Sequence, residues 1–308
     1  MAKPTFKANP IQVQVPATSA NLGPGFDCFG LALDLHDRYV AQILDEPGLD
    51  IDVAGEGAAT LPRTDKNLLI KAMYKGFDYL GGKPKGVAVR ALNVIPHGRG
   101  LGSSASAIVG GLVLARALVL TGSEKMSDDA LLDLATAMEG HPDNVAAALY
   151  GGATIAWQED HHGNLVAQAL PLAVDTRIRA LAFIPTTEFS TSKARKLLPE
   201  SITHADAAAN SARTALLSHA LTHRPDLLFR ATEDFLHQEY RQSGMPTSLK
   251  LMRTLRKAGV AAFISGAGPT VLALHTADQS ELDQLMRAGG DAFEVKILDI
   301  AVRGATLL

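Results

Sequence analysis

The stretch Pro96-His97-Gly98-Arg99-Gly100-Leu101-Gly102-Ser103-Ser104-Ala105-Ser106 lies between two segments of regular pattern. Its alternate glycines are incompatible with the middle of a helix or strand, because glycine serves where the backbone needs freedom or close approach. The segment before it, Val87 to Ile95, is rich in valine and isoleucine and predicts a strand. The small apolar residues after it, Ala105 to Leu120, predict a helix that stops at Thr121-Gly122.

This strand–turn–helix order predicts a phosphate site, because a helix N-terminus presents free N–H groups and a partial positive charge. The alternative is a tight left-handed turn in which a serine caps the helix. Two known phosphate loops are excluded by spacing. A P-loop needs a Gly-Lys-Ser/Thr end, but no lysine follows these glycines. A dinucleotide fingerprint needs its third glycine where Ser103 stands.

The composition indicates a globular protein of two modest domains, with 308 residues, 47% hydrophobic and 20% charged. A net charge of -3 argues against a nucleic-acid surface. Met1 to Lys7 lacks the apolar core of a secretory signal, and the apolar run Ile108 to Leu120 is too short to span a membrane. The single cysteine, Cys28, fits a reducing compartment. We therefore expect a cytoplasmic protein without nucleic-acid or membrane partners.

Three other stretches are candidates for function. Pro16 to Gly30 is rich in turn formers, which predicts an irregular binding loop or a packed surface loop capped by Asn21. Glu139 to Asn144 breaks a helix and carries several polar and ionisable side chains, although a histidine in a turn is often structural. Gly266 to Pro269 is either a plain hairpin link or a point of close backbone approach.

The remaining pattern predicts the element order. In the N-terminal half we expect strands at Ile11–Val15, Tyr39–Ile43, Leu49–Ala54 and Gly151–Trp157, helices at Leu68–Leu80 and Ala130–Met138, and a polar turn at Glu159–Gly163. A domain boundary near Leu170 to Arg177 divides the chain into residues 1–172 and 173–308. The second half predicts strand (Ala180–Ile184), helices (Thr191–Leu198, Ala205–His223, Pro225–Gln238, Thr247–Ala258), strands (Val260–Ser265, Thr270–His275), helix (Ser280–Ala288) and strand (Phe293–Ala301). That order is the split βαβ pattern of a ferredoxin-like layer.

The loop Pro96 to Ser106 resembles the phosphate loop of the GHMP kinases, the superfamily of galactokinase, mevalonate kinase and homoserine kinase. The resemblance to homoserine kinases runs from about Val13 to Leu274 and includes Pro16–Asp27, Glu139–Ala146, Ser190–Arg195 and Ser265–Pro269. Mevalonate kinases usually carry a lysine near Thr18, which this chain lacks. The resemblance implies an α+β, two-domain GHMP kinase fold. Its N-terminal β-α-β domain carries the glycine- and serine-rich phosphate loop, and its C-terminal domain is the ferredoxin-like layer.

The resemblance also implies Mg-ATP-dependent phosphorylation of the side-chain hydroxyl of L-homoserine, a step toward threonine. The ATP phosphates would be held by the loop residues, namely Pro96, His97, Gly98, Arg99, Gly100, Leu101, Gly102, Ser103, Ser104, Ala105 and Ser106. Backbone N–H groups and Mg²⁺ would neutralise the charge without a lysine. The expected Mg²⁺ ligands are Ser104, with Ser106 as the alternative, and Glu139, since both types offer hard oxygen donors.

L-Homoserine is a zwitterion, so its site needs opposite charges at a fixed separation. By the resemblance, Arg195 and Arg241 grip the carboxylate, since guanidinium groups match carboxylates bidentately, although Arg241 alternatively is a solvated helix residue. The remaining substrate contacts are Asp27 for the ammonium, with Asn21 nearby, and Gly266. The hydroxyl would be oriented by His141 and Asn144, while Asp143 either accepts its proton or only positions it.

Two other functions remain open from the sequence. Another small-molecule GHMP kinase, of mevalonate or shikimate type, would share the ATP site, but it has no use for a carboxylate clamp together with an ammonium acceptor. A non-catalytic nucleotide- or RNA-binding module is disfavoured by the negative charge. The purine contacts are expected from the Asn67 region or from Leu49 to Ala59, and a homodimer is possible.

Overall fold

The structure is a computed structural model that describes residues 3–276 and 278–308, so Met1 and Ala2 of the segment tested for a secretory signal lie outside it. The strands are β1 (Ile11–Asn21), β2 (Gly25–Leu44), β3 (Gly48–Gly55), β4 (Gly86–Asn93), β5 (Ala153–His161), β6 (Asn164–Leu172), β7 (Arg179–Pro185), β8 (Ala261–Ile264), β9 (Val271–His275), β10 (Phe293–Leu298) and β11 (Thr306–Leu307). The α-helices are α1 (Leu68–Tyr79), α2 (Ser103–Leu118), α3 (Gly122–Lys125), α4 (Asp128–Glu139), α5 (Asp143–Tyr150), α6 (Thr191–Arg195), α7 (His204–Thr222), α8 (Leu228–Ala231), α9 (Pro246–Lys257) and α10 (Gln279–Met286). Short 3₁₀ turns occupy Pro225–Leu227, Glu239–Arg241 and Arg287–Ala292.

The N-terminal sheet has the strand order β11-β1-β2-β4-β3, and β5 pairs with both β2 and β6. Its pairs are antiparallel except β3–β4, which is parallel. Helix α2 is apolar almost all round because it is buried between this sheet and α1. Gly110 and Gly111 permit that approach: a methyl group there would overlap the Tyr39 ring and the backbone of α1, respectively. The sheet thereby fixes the N-terminus of α2 at its edge.

The C-terminal sheet is antiparallel with the order β10-β7-β9-β8, which is 4-1-3-2 in chain order. That order confirms the predicted split βαβ layer. One face packs against α9 through side chains such as Leu249 and Phe183. The other face shares a hydrophobic cluster with the N-terminal domain, in which Phe263 and Leu272 join Leu31 of β2. The two domains are therefore packed together beside the phosphate loop.

The prediction that Pro16 to Gly30 is irregular was wrong. It forms the end of β1 and the start of β2, and only Leu22–Pro24 makes the turn. Asn21 and Asp27 adopt positive φ angles of 70° and 55°, and the register shifts twice along this pair. The turn-forming residues of this segment therefore allow local kinks within a buried hairpin. Strand pairing and burial override the preference of these residues for loops.

Three further element predictions differ from the structure. Strand β6 was missed, and the polar segment Glu159–Gly163 is mostly strand with its turn at His162-Gly163. A helix over Pro225–Gln238 was also wrong: helix α8 ends at Ala231. The Asp234 carboxylate then accepts the N–H groups of His237 and Gln238, which gives the backbone a non-helical alternative.

In the described ranges, no helix has the length and apolar character needed to cross a bilayer.

Candidate active site

A cavity of about 190 Å³ lies where the two domains meet. It is lined by the end of β1 and the start of β2, the phosphate loop, the α4–α5 connection, helix α6 with the residues just before it, and the turn between β8 and β9. All the stretches on which the sequence-based hypothesis depends thus converge on one space, although they come from both halves of the chain.

The phosphate loop presents three left-handed glycines, Gly98, Gly100 and Gly102, with φ angles of 63°, 76° and 72°. All three line the cavity. A methyl group on Gly100 would overlap the Ser265 carbonyl, and one on Gly102 would overlap the Thr18 hydroxyl. Gly102 is the N-cap of α2, so the serine cap in the alternative interpretation was wrong. The backbone here forms a cradle that side chains would fill, next to a helix N-terminus, and it fits phosphate groups.

A second cavity of about 250 Å³ adjoins the phosphate loop through His97, Ser103 and Ser104. Its other walls include Val53, Leu61 and Asn67, so both regions expected to contact a purine contribute. The remaining loop residues line neither cavity; they are Pro96, Arg99, Leu101, Ala105 and Ser106. The Arg99 side chain instead donates to the Thr186 carbonyl oxygen, 3.0 Å away.

Ser104 and Glu139 face each other at the cavity wall, where the Ser104 hydroxyl donates to the Glu139 carboxylate. Burial raises the pKa of Glu139, and the Ser104 hydrogen bond opposes that rise. Their oxygen atoms suit a magnesium ion. The alternative Mg²⁺ ligand, Ser106, was wrong: its side chain is wholly buried and its hydroxyl donates to Asp37, 2.9 Å away, as part of the sheet–helix packing.

Asp143 lies at the start of α5 and is almost wholly buried. Its Oδ1 contacts His141 Nδ1 at 2.6 Å and accepts the Asn144 backbone N–H at 2.8 Å. Burial lowers the pKa of His141, but the Asp143 hydrogen bond and nearby carboxylates outweigh that effect and raise it overall. The imidazole is therefore held in one orientation with its protonated form favoured.

Asp27 and Arg195 form a bidentate pair across the cavity, with N···O distances of 2.9 and 2.6 Å. This contact joins the expected ammonium acceptor to one arm of the expected carboxylate clamp, which sequence reasoning did not anticipate. Asn21 positions Asp27, because its side-chain oxygen accepts the Asp27 backbone N–H at 3.0 Å. Its amide nitrogen donates to the Gly266 carbonyl at 3.0 Å. Asn21 and Gly266 line the cavity, but they also tie its walls together.

Arg241 is only 2% exposed, so the alternative of a solvated helix residue was wrong. Its Nη1 donates to the Gly266 carbonyl at 2.9 Å, whereas its buried Nε has no hydrogen-bond partner among the described residues. Burial lowers the pKa of Arg241 to about 10, against the opposing charge of Asp234. A buried guanidinium with an unused donor beside the cavity fits an anionic group of a ligand.

Sequence reasoning missed several cavity residues. Phe26 lies with its ring centroid 5.5 Å from the Arg195 guanidinium carbon and 5.9 Å from that of Arg241. Phe189 and Thr191 also line the cavity. Thr18, which was also missed, does not line the cavity itself but contacts a residue that does: its Oγ1 donates to Asn144 Oδ1 at 2.8 Å. Phe26, Thr18 and Thr191 stand inside the stretches that carried the resemblance, but apolar or hydroxyl side chains gave no chemical signal of their own.

Comparison with known proteins agrees with this geometry. The family models for the GHMP kinases N terminal domain and the GHMP kinases C terminal match residues 67–152 and 212–294. A homoserine kinase of Streptomyces avermitilis is 51% identical over 308 residues, covering 100% of this chain and 99% of the relative. One of Streptomyces coelicolor is 51% identical, covering 100% and 97%. The crystal structure of homoserine kinase from Cytophaga hutchinsonii matches with a TM-score of 0.83 at 27% identity, covering 100% of both chains. The chain therefore belongs to the homoserine kinases of the GHMP kinase superfamily.

Proposed function

We propose that this chain phosphorylates the side-chain hydroxyl of L-homoserine with ATP, yielding O-phospho-L-homoserine. The observation that carries the proposal is the cavity that combines a glycine cradle with Asp27, Arg195 and Arg241. A zwitterionic amino acid needs an anion and cations at fixed positions, and a phosphoryl donor needs backbone N–H groups at a helix N-terminus. The identity to homoserine kinases over the full chain supports the same substrate.

Bound Mg-ATP would supply the phosphoryl group and neutralise the charge that develops on it. The backbone of Gly98 to Ser104 would hold the phosphates, and Ser104 and Glu139 would hold the metal ion, since they are the facing oxygen donors at the cavity wall. The adjoining cavity beside Asn67 has the position and apolar lining for the purine. No lysine is needed from the loop.

The substrate carboxylate would bind the Arg241 guanidinium, with Arg195 beside it, since both side chains line the cavity. The ammonium would bind Asp27, whose backbone is held by Asn21 and whose carboxylate is aligned by Arg195. The ammonium and the carboxylate of the substrate would then complement Asp27 and Arg195, so that neither side chain would lack an opposite charge. Because the ammonium and the carboxylate both belong to the α-carbon, holding both of them would direct the side-chain hydroxyl toward the phosphate cradle.

At the hydroxyl, we assign orientation to His141 and Asn144. Asp143 Oδ1 is engaged by His141 and the Asn144 backbone, whereas its Oδ2 makes no hydrogen bond to the described residues. That oxygen is the acceptor available for the hydroxyl proton. A loose transition state needs little deprotonation of the substrate hydroxyl. The main role of Asp143 is therefore to position that hydroxyl.

A panel of hydroxyl substrates tests the function. Purified protein with Mg-ATP should release ADP with L-homoserine but not with R-mevalonate or shikimate, and the product should be O-phospho-L-homoserine by mass spectrometry. Equal turnover with mevalonate would favour another GHMP kinase activity. Nucleotide binding without turnover of any of these substrates would contradict the kinase assignment.

The finer organisation stays a prediction. We propose the domain bounds 1–172 and 173–308, which are supported by the change of sheet between Leu172 and Arg179. The last strand, β11, departs from these bounds because it pairs with β1 in the N-terminal sheet. A cytoplasmic location and a homodimer are likewise predictions; fractionation and analytical ultracentrifugation test them.

A further inference from the structure

Thr18 occupies the point where β1 meets both the phosphate loop and the α4–α5 connection. Its side chain is wholly buried. The Thr18 backbone N–H donates to the Leu101 carbonyl at 3.0 Å, which ties β1 to the loop. Its hydroxyl donates to Asn144 Oδ1 at 2.8 Å, which ties β1 to the first turn of α5. One residue therefore links the proposed phosphate cradle with the proposed hydroxyl-orienting amide.

The direction of the second hydrogen bond determines what Asn144 offers to a ligand. A carboxamide oxygen only accepts hydrogen bonds, and a carboxamide nitrogen only donates them. Since the Thr18 hydroxyl holds Oδ1, the Nδ2 donors are left for other partners, and they bond to no atom of the described residues. Asn144 lines the cavity, so these N–H groups are the part of the amide available to a ligand.

We propose that Thr18 is a positioning residue for phosphoryl transfer, acting by holding the Asn144 carboxamide with its donors available to the reacting oxygens. This inference rests on the proposed function. The substrate hydroxyl and the phosphoryl group present oxygen lone pairs, to which N–H donors are complementary. Without the Thr18 hydroxyl the carboxamide is free to turn and present its own oxygen, which cannot donate a hydrogen bond to these lone pairs.

The role of the hydroxyl can be separated from that of the backbone. Thr18→Val removes the hydroxyl, preserves the branched shape and keeps the N–H bond to Leu101. Thr18→Ser keeps the hydroxyl, and Thr18→Ala is the second hydroxyl-free variant should valine fold poorly. The matched control is Thr154→Val: Thr154 is equally buried in β5, and its Oγ1 has no hydrogen-bond partner among the described residues.

The expected result is a loss confined to the chemical step. Thr18→Val and Thr18→Ala should lower kcat for L-homoserine by about tenfold or more, since a misplaced group can cost up to about a hundredfold. The KM for L-homoserine and the Kd for Mg-ATP should stay within about twofold. Thr18→Ser should keep kcat within about threefold of the unchanged protein, as should Thr154→Val.

Three outcomes would overturn the proposal. An unchanged kcat in the folded hydroxyl-free variants would show that the hydroxyl positions nothing. An equal loss in Thr18→Ser would assign the effect to packing. A Kd for Mg-ATP that rises in step with the loss of kcat would assign it to the loop. Failure of the unchanged protein to turn over L-homoserine would instead contradict the proposed function, so the two failures are distinguishable.

Discussion

Individual side chains in the cavity carry opposite charges within direct reach of one another. Asp27 and Arg195 pair bidentately in a partly exposed position, while Arg241 is buried with one donor unused. The cavity thus keeps its own charges satisfied and still offers a cation to an incoming carboxylate. At this scale, the proposed substrate site depends on a few charged groups whose spacing is set by hydrogen bonds such as that from Arg241 to the Gly266 carbonyl.

Replacing Arg195 should weaken substrate binding selectively. Arg195→Ala removes a charged donor beside the carboxylate and leaves Asp27 unpaired, so the KM for L-homoserine should rise by roughly 10- to 100-fold. The KM for ATP should change little, and steady-state kinetics measure both. Arg177→Ala is the control, since Arg177 pairs bidentately with Asp175 but is well exposed and lies outside the cavity. A normal KM in Arg195→Ala would remove Arg195 from the site.

The raised pKa of Glu139 predicts a pH effect on metal binding. The carboxyl must lose its proton to bind Mg²⁺, and burial makes that loss harder. As the pH falls through the raised pKa, the Mg²⁺ concentration for half-maximal activity should therefore increase, starting above the pH expected for an ordinary glutamate. Magnesium titrations from pH 5 to 8 measure it.

Glu139→Gln provides the comparison for that experiment. The variant should need at least about tenfold more Mg²⁺, because it loses a charged ligand, and its requirement should vary less with pH. A variant with the unchanged magnesium requirement and pH dependence would contradict the assignment of Glu139.

Helix α2 and its preceding loop act as one element. The buried, small-residue helix fixes the loop at the edge of the N-terminal sheet, and Gly102 gives the left-handed step from loop to helix. Gly102 has no room for a side chain, because Thr18 lies against it. Two constraints, conformational and steric, therefore act at one residue.

Gly102→Ala should lower both stability and nucleotide affinity. The strained φ and the overlap with Thr18 should reduce the free energy of unfolding by about 2 kcal/mol or more, and Mg-ATP affinity should fall at least about tenfold. Gly163→Ala separates the two causes, since Gly163 has a φ of 87° but open space around it. Gly163→Ala should lower the free energy of unfolding by only about 1 kcal/mol and leave the affinity for Mg-ATP unchanged. Denaturant unfolding and calorimetry measure these quantities; equal effects in both variants would contradict the steric argument.

Across the whole molecule, the site exists only because the two domains are packed together. Ser265 lies in the turn between β8 and β9, and its hydroxyl donates to the Gly100 carbonyl at 2.6 Å. Ser265 Oγ also lies 2.8 Å from Ser19 Oγ. The C-terminal domain thereby supports the phosphate loop of the N-terminal domain. We therefore expect domain packing and nucleotide binding to be coupled.

Ser265→Ala should test that coupling. Loss of the buried hydroxyl should cost about 1–3 kcal/mol of unfolding free energy, because the Gly100 carbonyl loses a donor. The KM for ATP of Ser265→Ala should rise together with this loss of stability. Ser211→Ala is the control, at an exposed position on α7; it should change the free energy of unfolding by less than about 0.5 kcal/mol and leave the KM for ATP unchanged. Thermal unfolding and initial rates are the measurements. An unchanged KM for ATP would show that the turn does not support the loop.

Local sequence patterns were sufficient to predict the elements with strong hydrophobic periodicity or with clear glycine and turn signals at their ends. The glycines and the following apolar run predicted the phosphate loop and α2, and the order of elements predicted the C-terminal sheet. Residues with distinctive chemistry, such as Arg241 and Asp27, could be proposed from the resemblance alone. The hairpin at Pro16–Gly30 could not, because its small and turn-forming residues become strand only through pairing and burial.

The sequence by itself determined the loop chemistry, the fold class and the set of charged candidates, since these depend on residue type and spacing along the chain. Only the tertiary structure decided which hydroxyl faces Glu139 at the cavity wall, Ser104 rather than Ser106, and that Asp27 meets Arg195. It also decided that Arg241 is buried and that Thr18 contacts Asn144. The physical reason is distance along the chain. Asp27 and Arg195 come from different domains, and Thr18 and Asn144 are 126 residues apart within the N-terminal domain, so these contacts arise only once the chain has folded.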